Sequence, residues 1–246
     1  SRRGPRHHAP NTCGRLAGRA RRSRSGGETT IMTILARAVP VSGTALARAS
    51  FRGRLLLALS AGLLGLSVLF PLWRVSLTAP QYPEGLGMYI WAHTVAGVGP
   101  NDLQNINGLN HYIGMATIEP DEIPELRFMR PGMLAMAALG LALAAMGRRR
   151  SLIVWSGLLL LSAVVGMADF YKWEYDYGHN LDMENAPLKI PGMSYQPPLI
   201  GSKKLLNFTA TSLPALGGVL AIASVVLATA AIPLSRAASP SPGRAA

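Results

Sequence analysis

Hydrophobic positions along this chain fall into long uninterrupted blocks, and the polar residues gather between them. Four stretches carry no ionisable side chain: Leu55 to Trp73 (19 residues), Pro131 to Gly147 (17), Ser151 to Ala168 (18), and Leu205 to Ser235, whose densest apolar part is 213–234. A bilayer core about 30 Å thick is crossed by about 20 predominantly apolar residues in a helix. The blocks therefore predict transmembrane helices at 55–73, 131–147, 151–168 and 213–234, and they exclude a soluble globular domain. Small residues recur within them, such as Gly62, Gly65, Gly140, Gly166, Gly217 and Gly218, and permit close helix approach. The expected fold class is an all-α membrane protein of four transmembrane helices with two large periplasmic loops, 74–130 and 169–212, packed on one another. Weak alternation at Trp73 to Leu77 and at Gly87 to Ala92 marks either segment as a candidate short strand.

Charge orients this plan. The chain has 24 Lys+Arg and 12 Asp+Glu, a formal net charge of +12. Residues 1–54 hold twelve Arg and one acid, Glu28; Arg148, Arg149 and Arg150 form the turn 148–150; and the tail 235–246 carries Arg236 and Arg244. The two long connections hold the other eleven acids. Basic residues mark the cytoplasmic side of a membrane, so both termini are expected inside and both large loops outside. The excess charge is thus a topology signal, and nucleic acid is not an expected partner.

Residues 1–31 lack a starting Met, are rich in Arg, Gly and Ser, and show no apolar periodicity. They read as disorder or as an upstream extension ahead of a start at Met32. The basic segment 32–54 then leads into the first span. That span ends in Phe70, Pro71, Leu72, Trp73, Arg74 without a small-residue cleavage site, and it reads as a retained anchor. The single cysteine, Cys13, lies in the excluded extension. Disulfides, thiolate metal sites, Fe–S clusters and CxxCH haem attachment are therefore not expected in the outer loops. The spans contain no His, Asp, Glu, Lys or Arg, which argues against bis-His haem and ion-coupled transport. No phosphate-binding GxxxxGK[ST] loop is present, so no nucleotide is expected.

The candidate chemistry lies in the outer loops. His93, His111 and His179 all fall there, together with Met88, Met115, Met129, Met183 and Met193. Imidazole and thioether together suit copper, Cu(I) above all. His111 and Met115 are four residues apart, as are His179 and Met183, so each pair shares a face wherever its segment is helical. These four are the candidate metal ligands. His93 is a further candidate, as are Asp169 and Asp176, which lie seven residues apart on the acidic aromatic run leading to His179. The competing reading is packing: Met beside a membrane packs, and a lone loop His forms hydrogen bonds.

Five strings carry a resemblance: PLWRVSLTAPQYPEGLGMYIW (Pro71 to Trp91), INGLNHYIGM (Ile106 to Met115), DFYKWEYDYGHNLD (Asp169 to Asp182), PGMSYQPPLIG (Pro191 to Gly201) and KKLLNF (Lys203 to Phe208). They resemble an uncharacterised family of small bacterial membrane proteins associated with nitrous-oxide reductase gene clusters, near copper-chaperone lipoproteins and c-type cytochromes. The Arg-rich beginning has no counterpart in that pattern. The resemblance implies a role in maturing or serving a periplasmic copper enzyme. The functional expectation is a non-catalytic accessory protein of periplasmic respiration, through nitrous-oxide reductase maturation or electron supply. It handles copper or docks a copper enzyme, copper chaperone or cytochrome. A metal-free structural subunit of a respiratory or photosynthetic complex is the alternative, and an enzyme using His111 or His179 is a third reading.

Overall fold

The computed structural model describes residues 48–235. The extension expected over 1–31, most of the segment 32–54 and most of the tail 235–246 lie outside the described residues. Five helices occur among those described: α1 (Phe51–Ser67), α2 (Asp102–Tyr112), α3 (Pro124–Met146), α4 (Arg149–His179) and α5 (Leu216–Leu234). Five strands accompany them: β1 (Trp73–Ala79), β2 (Tyr82–Ile90), β3 (Val95–Gly97), β4 (Gly201–Leu205) and β5 (Phe208–Pro214).

The all-α expectation is overturned by these strands, which form one antiparallel sheet in the order β3-β2-β1-β5-β4. The fold is mixed α/β. Neither outer connection makes the sheet alone. The first supplies β1, β2 and β3, the second supplies the β4–β5 hairpin, and the seam between them pairs Trp73 with Pro214 through Thr78 with Thr209. The Trp73 indole N–H donates to Ser212 Oγ across that seam at 2.7 Å. Alternation marks parts of β1 and β2, and the other strands escape the hydrophobic pattern because they are short or largely polar. β5 reads Phe-Thr-Ala-Thr-Ser-Leu-Pro, where branched Thr favours extended backbone without an apolar run.

The expectation of four spans is also corrected. Three helices, α3, α4 and α5, are long and apolar enough to cross a membrane, and on these the chain is a membrane protein. The predicted first span stops short. Its helix has 17 residues and ends at Ser67, and the last residues of the charge-free block turn at Val68 and Leu69 and open β1 with Trp73. At 17 residues α1 is two residues shorter than α5 and six shorter than α3. It packs against α3 and α5.

Helix packing is tightest at the Arg-rich end. Ser60 and Ser224 are fully buried and exchange hydrogen bonds between α1 and α5: Ser60 Oγ donates to the Ser224 carbonyl at 2.7 Å and Ser224 Oγ to the Ser60 carbonyl at 2.8 Å. Ser156 Oγ donates to the Ala228 carbonyl at 3.0 Å, tying α4 to α5. Trp155, fully buried, lies against Gly140 and donates from Nε1 to the Met136 carbonyl at 3.0 Å. The arginines also serve the helix ends. Arg54 donates to the last-turn carbonyls of α3 at Ala144 (2.9 Å) and Ala145 (3.1 Å), placing positive charge at a helix C-terminus.

Candidate functional site: an apolar cavity beneath the sheet

Toward the sheet the helices separate. Of α4's residues, Leu152, Trp155, Ser156 and Leu159 are buried near its start, and none is buried again until Glu174 and Gly178. The space so opened is a cavity of about 1160 Å³, roofed by the sheet and walled by α2, α3, α4 and α5. α4 contributes Leu159, Ser162, Ala163, Gly166, Phe170, Trp173, Glu174 and Tyr177, a stripe at helical spacing. α3 contributes Met129, Gly132, Met133 and Met136, and the sheet contributes Val75, Leu86, Met88 and Ala210. Six of the chain's ten Met line it: Met88, Met115, Met129, Met133, Met136 and Met167. Unbranched thioether side chains adapt their shape to what they touch, which suits a cavity wall.

Polar groups are few and sit at the sheet end. The helix α4, at about 46 Å, is longer than a bilayer core is thick, and Asp169–His179 extends beyond its charge-free part. Glu174, on this extension, is 6% exposed, and neither of its carboxyl oxygens has a hydrogen-bond partner among the described residues. Burial pushes its pKa up to about 7. Tyr195, 2% exposed, likewise has an unpartnered hydroxyl, and burial raises its pKa. Glu125, at the start of α3, is a third residue with an unpartnered buried atom, its Oε2. All three residues line the cavity, as does Asp169. Among the described residues its lining contains no Lys, Arg or His.

Tyr195 is placed by the Pro-rich strap between α4 and β4. Its backbone N–H donates to the Gly178 carbonyl at 2.9 Å, and the strap crosses α4 so closely that a Cβ on Gly178 would stand 2.4 Å from Gln196 backbone atoms. The asparagines of the INGLNHYIGM string are structural. Asn107 accepts from the Ile118 N–H at 2.8 Å, and buried Asn110 donates to the Ala116 carbonyl at 3.3 Å, turning the chain after α2 back along the helix. Asp102 Oδ2 accepts from the Gly87 and Gly99 N–H groups at 2.9 and 3.0 Å, fastening α2 to the edge of the sheet.

The candidate ligands are dispersed over this frame. α2 ends at Tyr112, so His111 and Met115 do not share a helical face: His111 is exposed and Met115 lines the cavity. α4 ends at His179, so His179 and Met183 do not share one either. His179 is exposed, stacks on Tyr175 with ring centroids 3.9 Å apart, and has Nδ1 3.0 Å from the Tyr175 carbonyl. One contact does bring the two loops together near these residues. Asp182 N–H donates to the Gly114 carbonyl at 2.7 Å, placing the chain after His111 beside the chain before Met183. The Asp182 carboxyl accepts from Asn185 and Glu184, which lowers its pKa. Of the further candidates, exposed His93 lies edge-on to Trp91, Asp176 is paired with Lys172 at 3.3 Å, and Asp169 faces the cavity. Among the described residues no three His, Cys, Asp or Glu are grouped as a metal site. Glu174, Glu125 and Tyr195 are the groups that sequence reasoning missed. Continuing α4's helical period from Ser162 and Gly166 through Phe170 would have put Glu174 on the cavity stripe.

Fold and site together define a membrane-anchored α/β protein with an apolar cavity between its helices and its sheet. Compared with known proteins, the chain matches no family model and no curated protein sequence.

Proposed function

We propose that this is a non-catalytic accessory protein of periplasmic respiration, its sheet facing the periplasm and docking a soluble partner. The observation that carries the reading is the segregation of charge across the fold. Eleven acids against seven Lys and Arg lie in the connections that build the sheet and its supports, and the arginine clusters lie at the opposite helix ends. Three of these acids, Glu125, Asp169 and Glu174, line the cavity; those left at the surface, among them Glu84, Glu119, Asp121, Glu122 and Glu184, favour a basic partner through long-range attraction that weakens with salt. The sequence resemblance points to a copper enzyme, copper chaperone or cytochrome of nitrous-oxide reduction as that partner. Binding of purified nitrous-oxide reductase and of a basic c-type cytochrome to the protein in nanodiscs tests this. Saturable association that weakens with added salt is expected, and absence of binding by both overturns it.

Copper handling is the second reading, favoured by the contact of Gly114 with Asp182, which draws together the segments bearing His111, Met115 and Met183. Docking is better supported, because His179 already engages Tyr175 and Met115 is turned to the cavity. Competition with a Cu(I) chelator decides between them. Stoichiometric copper lost on His111→Ala supports the metal role, and wild-type protein that takes no Cu(I) ends it.

A further inference from the structure

The cavity beneath the sheet has a portal on the membrane side. Phe128 and Ile222 both line it and are nevertheless 73% and 52% exposed, so its wall is continuous with the outer surface of the bundle. Gly132 on α3 and Gly166 on α4 line the cavity from two of its three membrane helices, and a Cβ at either would meet nothing within 4 Å. At about 1160 Å³ the cavity exceeds the roughly 300–1,000 Å³ of pockets for small soluble ligands. Its apolar length ends at Glu174 and Tyr195, whose buried oxygens have no partner among the described residues. Buried polar atoms in folded proteins are normally paired, so these mark where a ligand's polar group belongs.

The chemistry of the wall selects that group. An anionic head would meet Glu125, Asp169 and Glu174, with no basic side chain in the described lining to offset them. A cationic head would require a buried ion pair, whose desolvation opposes binding, and burial already holds Glu174 toward its neutral acid. A hydroxyl suits both partners, donating to the carboxyl oxygen and accepting from the tyrosine O–H. We propose that this cavity is a lipid site: a bilayer amphiphile passes its hydrocarbon chain between α3 and α4 and seats an uncharged hydroxyl head, of the hydroquinone or diacylglycerol kind, at Glu174 and Tyr195. The site does not depend on the docking role, and its test is separate.

Trp73 and Trp173 line the cavity and report on its contents. The full chain in nanodiscs of saturated phosphatidylcholine is titrated with four probes bearing the same brominated chain: a hydroquinone, a diacylglycerol, a fatty acid and an alkylamine. Saturable tryptophan quenching by one hydroxyl probe, at least tenfold tighter than by the fatty acid and the amine, is expected, and the hydroxyl probe that saturates identifies the source. Glu174→Gln and Tyr195→Phe should each weaken that probe about tenfold. An added Cβ at Gly166 meets no atom within 4 Å, so Gly166→Leu brings bulk into the portal from an open position; it should abolish quenching while leaving the thermal midpoint unchanged. The proposal is overturned if neither hydroxyl probe saturates or if the fatty acid or amine binds as tightly. Undiminished quenching in the Gly166→Leu protein also overturns it, whether or not the Glu174 variant folds.

Discussion

Glu174 shows how one side chain ties stability to pH. Its carboxyl, ordinarily near 4.5, is raised to about 7 by burial. The folded protein therefore keeps a proton that the unfolded chain gives up. Stability is greatest below 4.5, falls as pH rises through the window from 4.5 to about 7, and levels off above it. A shift of this size corresponds to at most about 3 kcal/mol. The thermal midpoint should decline between about pH 4.5 and pH 7 in wild-type protein, and Glu174→Gln should flatten that profile. An unchanged profile in the variant would assign the decline to another group. Gly178 makes a steric forecast at the same scale. Because an added Cβ would collide with Gln196, Gly178→Ala must lift the strap, costing about 2 kcal/mol and freeing Tyr195. Limited proteolysis should then cut within 180–200 faster than in wild type.

Among the elements, the bundle relies on small and hydroxyl side chains where a soluble bundle would use larger ones. Apolar lipid gives helices little reason to associate, so close approach and interhelical hydrogen bonds carry more of the packing. Two substitutions separate these contributions. Ser60→Ala with Ser224→Ala removes the paired bonds between α1 and α5 and should cost about 1–2 kcal/mol at roughly 0.6 kcal/mol per bond. At Gly140 an added Cβ would lie 2.6 Å from the Trp155 ring and 2.8 Å from Ala61 Cβ. Gly140→Leu should cost about 3 kcal/mol by forcing α1, α3 and α4 apart. Unfolding in mixed micelles measures both. A smaller loss for Gly140→Leu than for the double serine variant would show that the hydrogen bonds dominate.

At the scale of the whole molecule, the helices run between an arginine-capped end and a sheet-bearing end. α3 runs from the sheet to the Arg end, α4 returns, and α5 runs back again, each joined to the sheet by one of the two long connections. If the arginines lie on the cytoplasmic side, a reporter active only in the periplasm should work when fused after Glu122 or Glu184 and be silent after Arg149. Activity of the Arg149 fusion would invert the orientation and place the sheet in the cytoplasm. The loop acids have more than one use in this frame. Asp102 fastens α2, Asp176 pairs with Lys172, and Glu174 looks into the cavity.

The helices were legible in the chain because crossing a membrane imposes a demand on consecutive residues: charge must be absent for about 20 positions. Local blocks such as Ser151 to Ala168 therefore mark α4, and alternation at Trp73 to Leu77 hints at β1. The arginines at 148–150 likewise mark the break between helices, although the connection itself is only Gly147 and Arg148, and Arg149 and Arg150 already belong to α4. Features that depend on pairing between distant residues leave no such local mark. β5 has no apolar run, and it becomes a strand because Thr209 to Pro214 finds the edge of β1 more than a hundred residues earlier. The end of α1 at Ser67 was equally hidden, since the charge-free block continues past it into Trp73. Spacing alone put His111 with Met115 and His179 with Met183, but the helices end at Tyr112 and His179, and only the folded chain shows those ends. The cavity is wholly tertiary. Glu174 reads in sequence as one more acid in a solvated run, and it is buried because α4 continues straight out of its apolar part while the strap carries Tyr195 over it. Burial is a property of what surrounds a residue, so composition and periodicity mark the membrane helices, and the tertiary structure alone decides which acid is withdrawn from water.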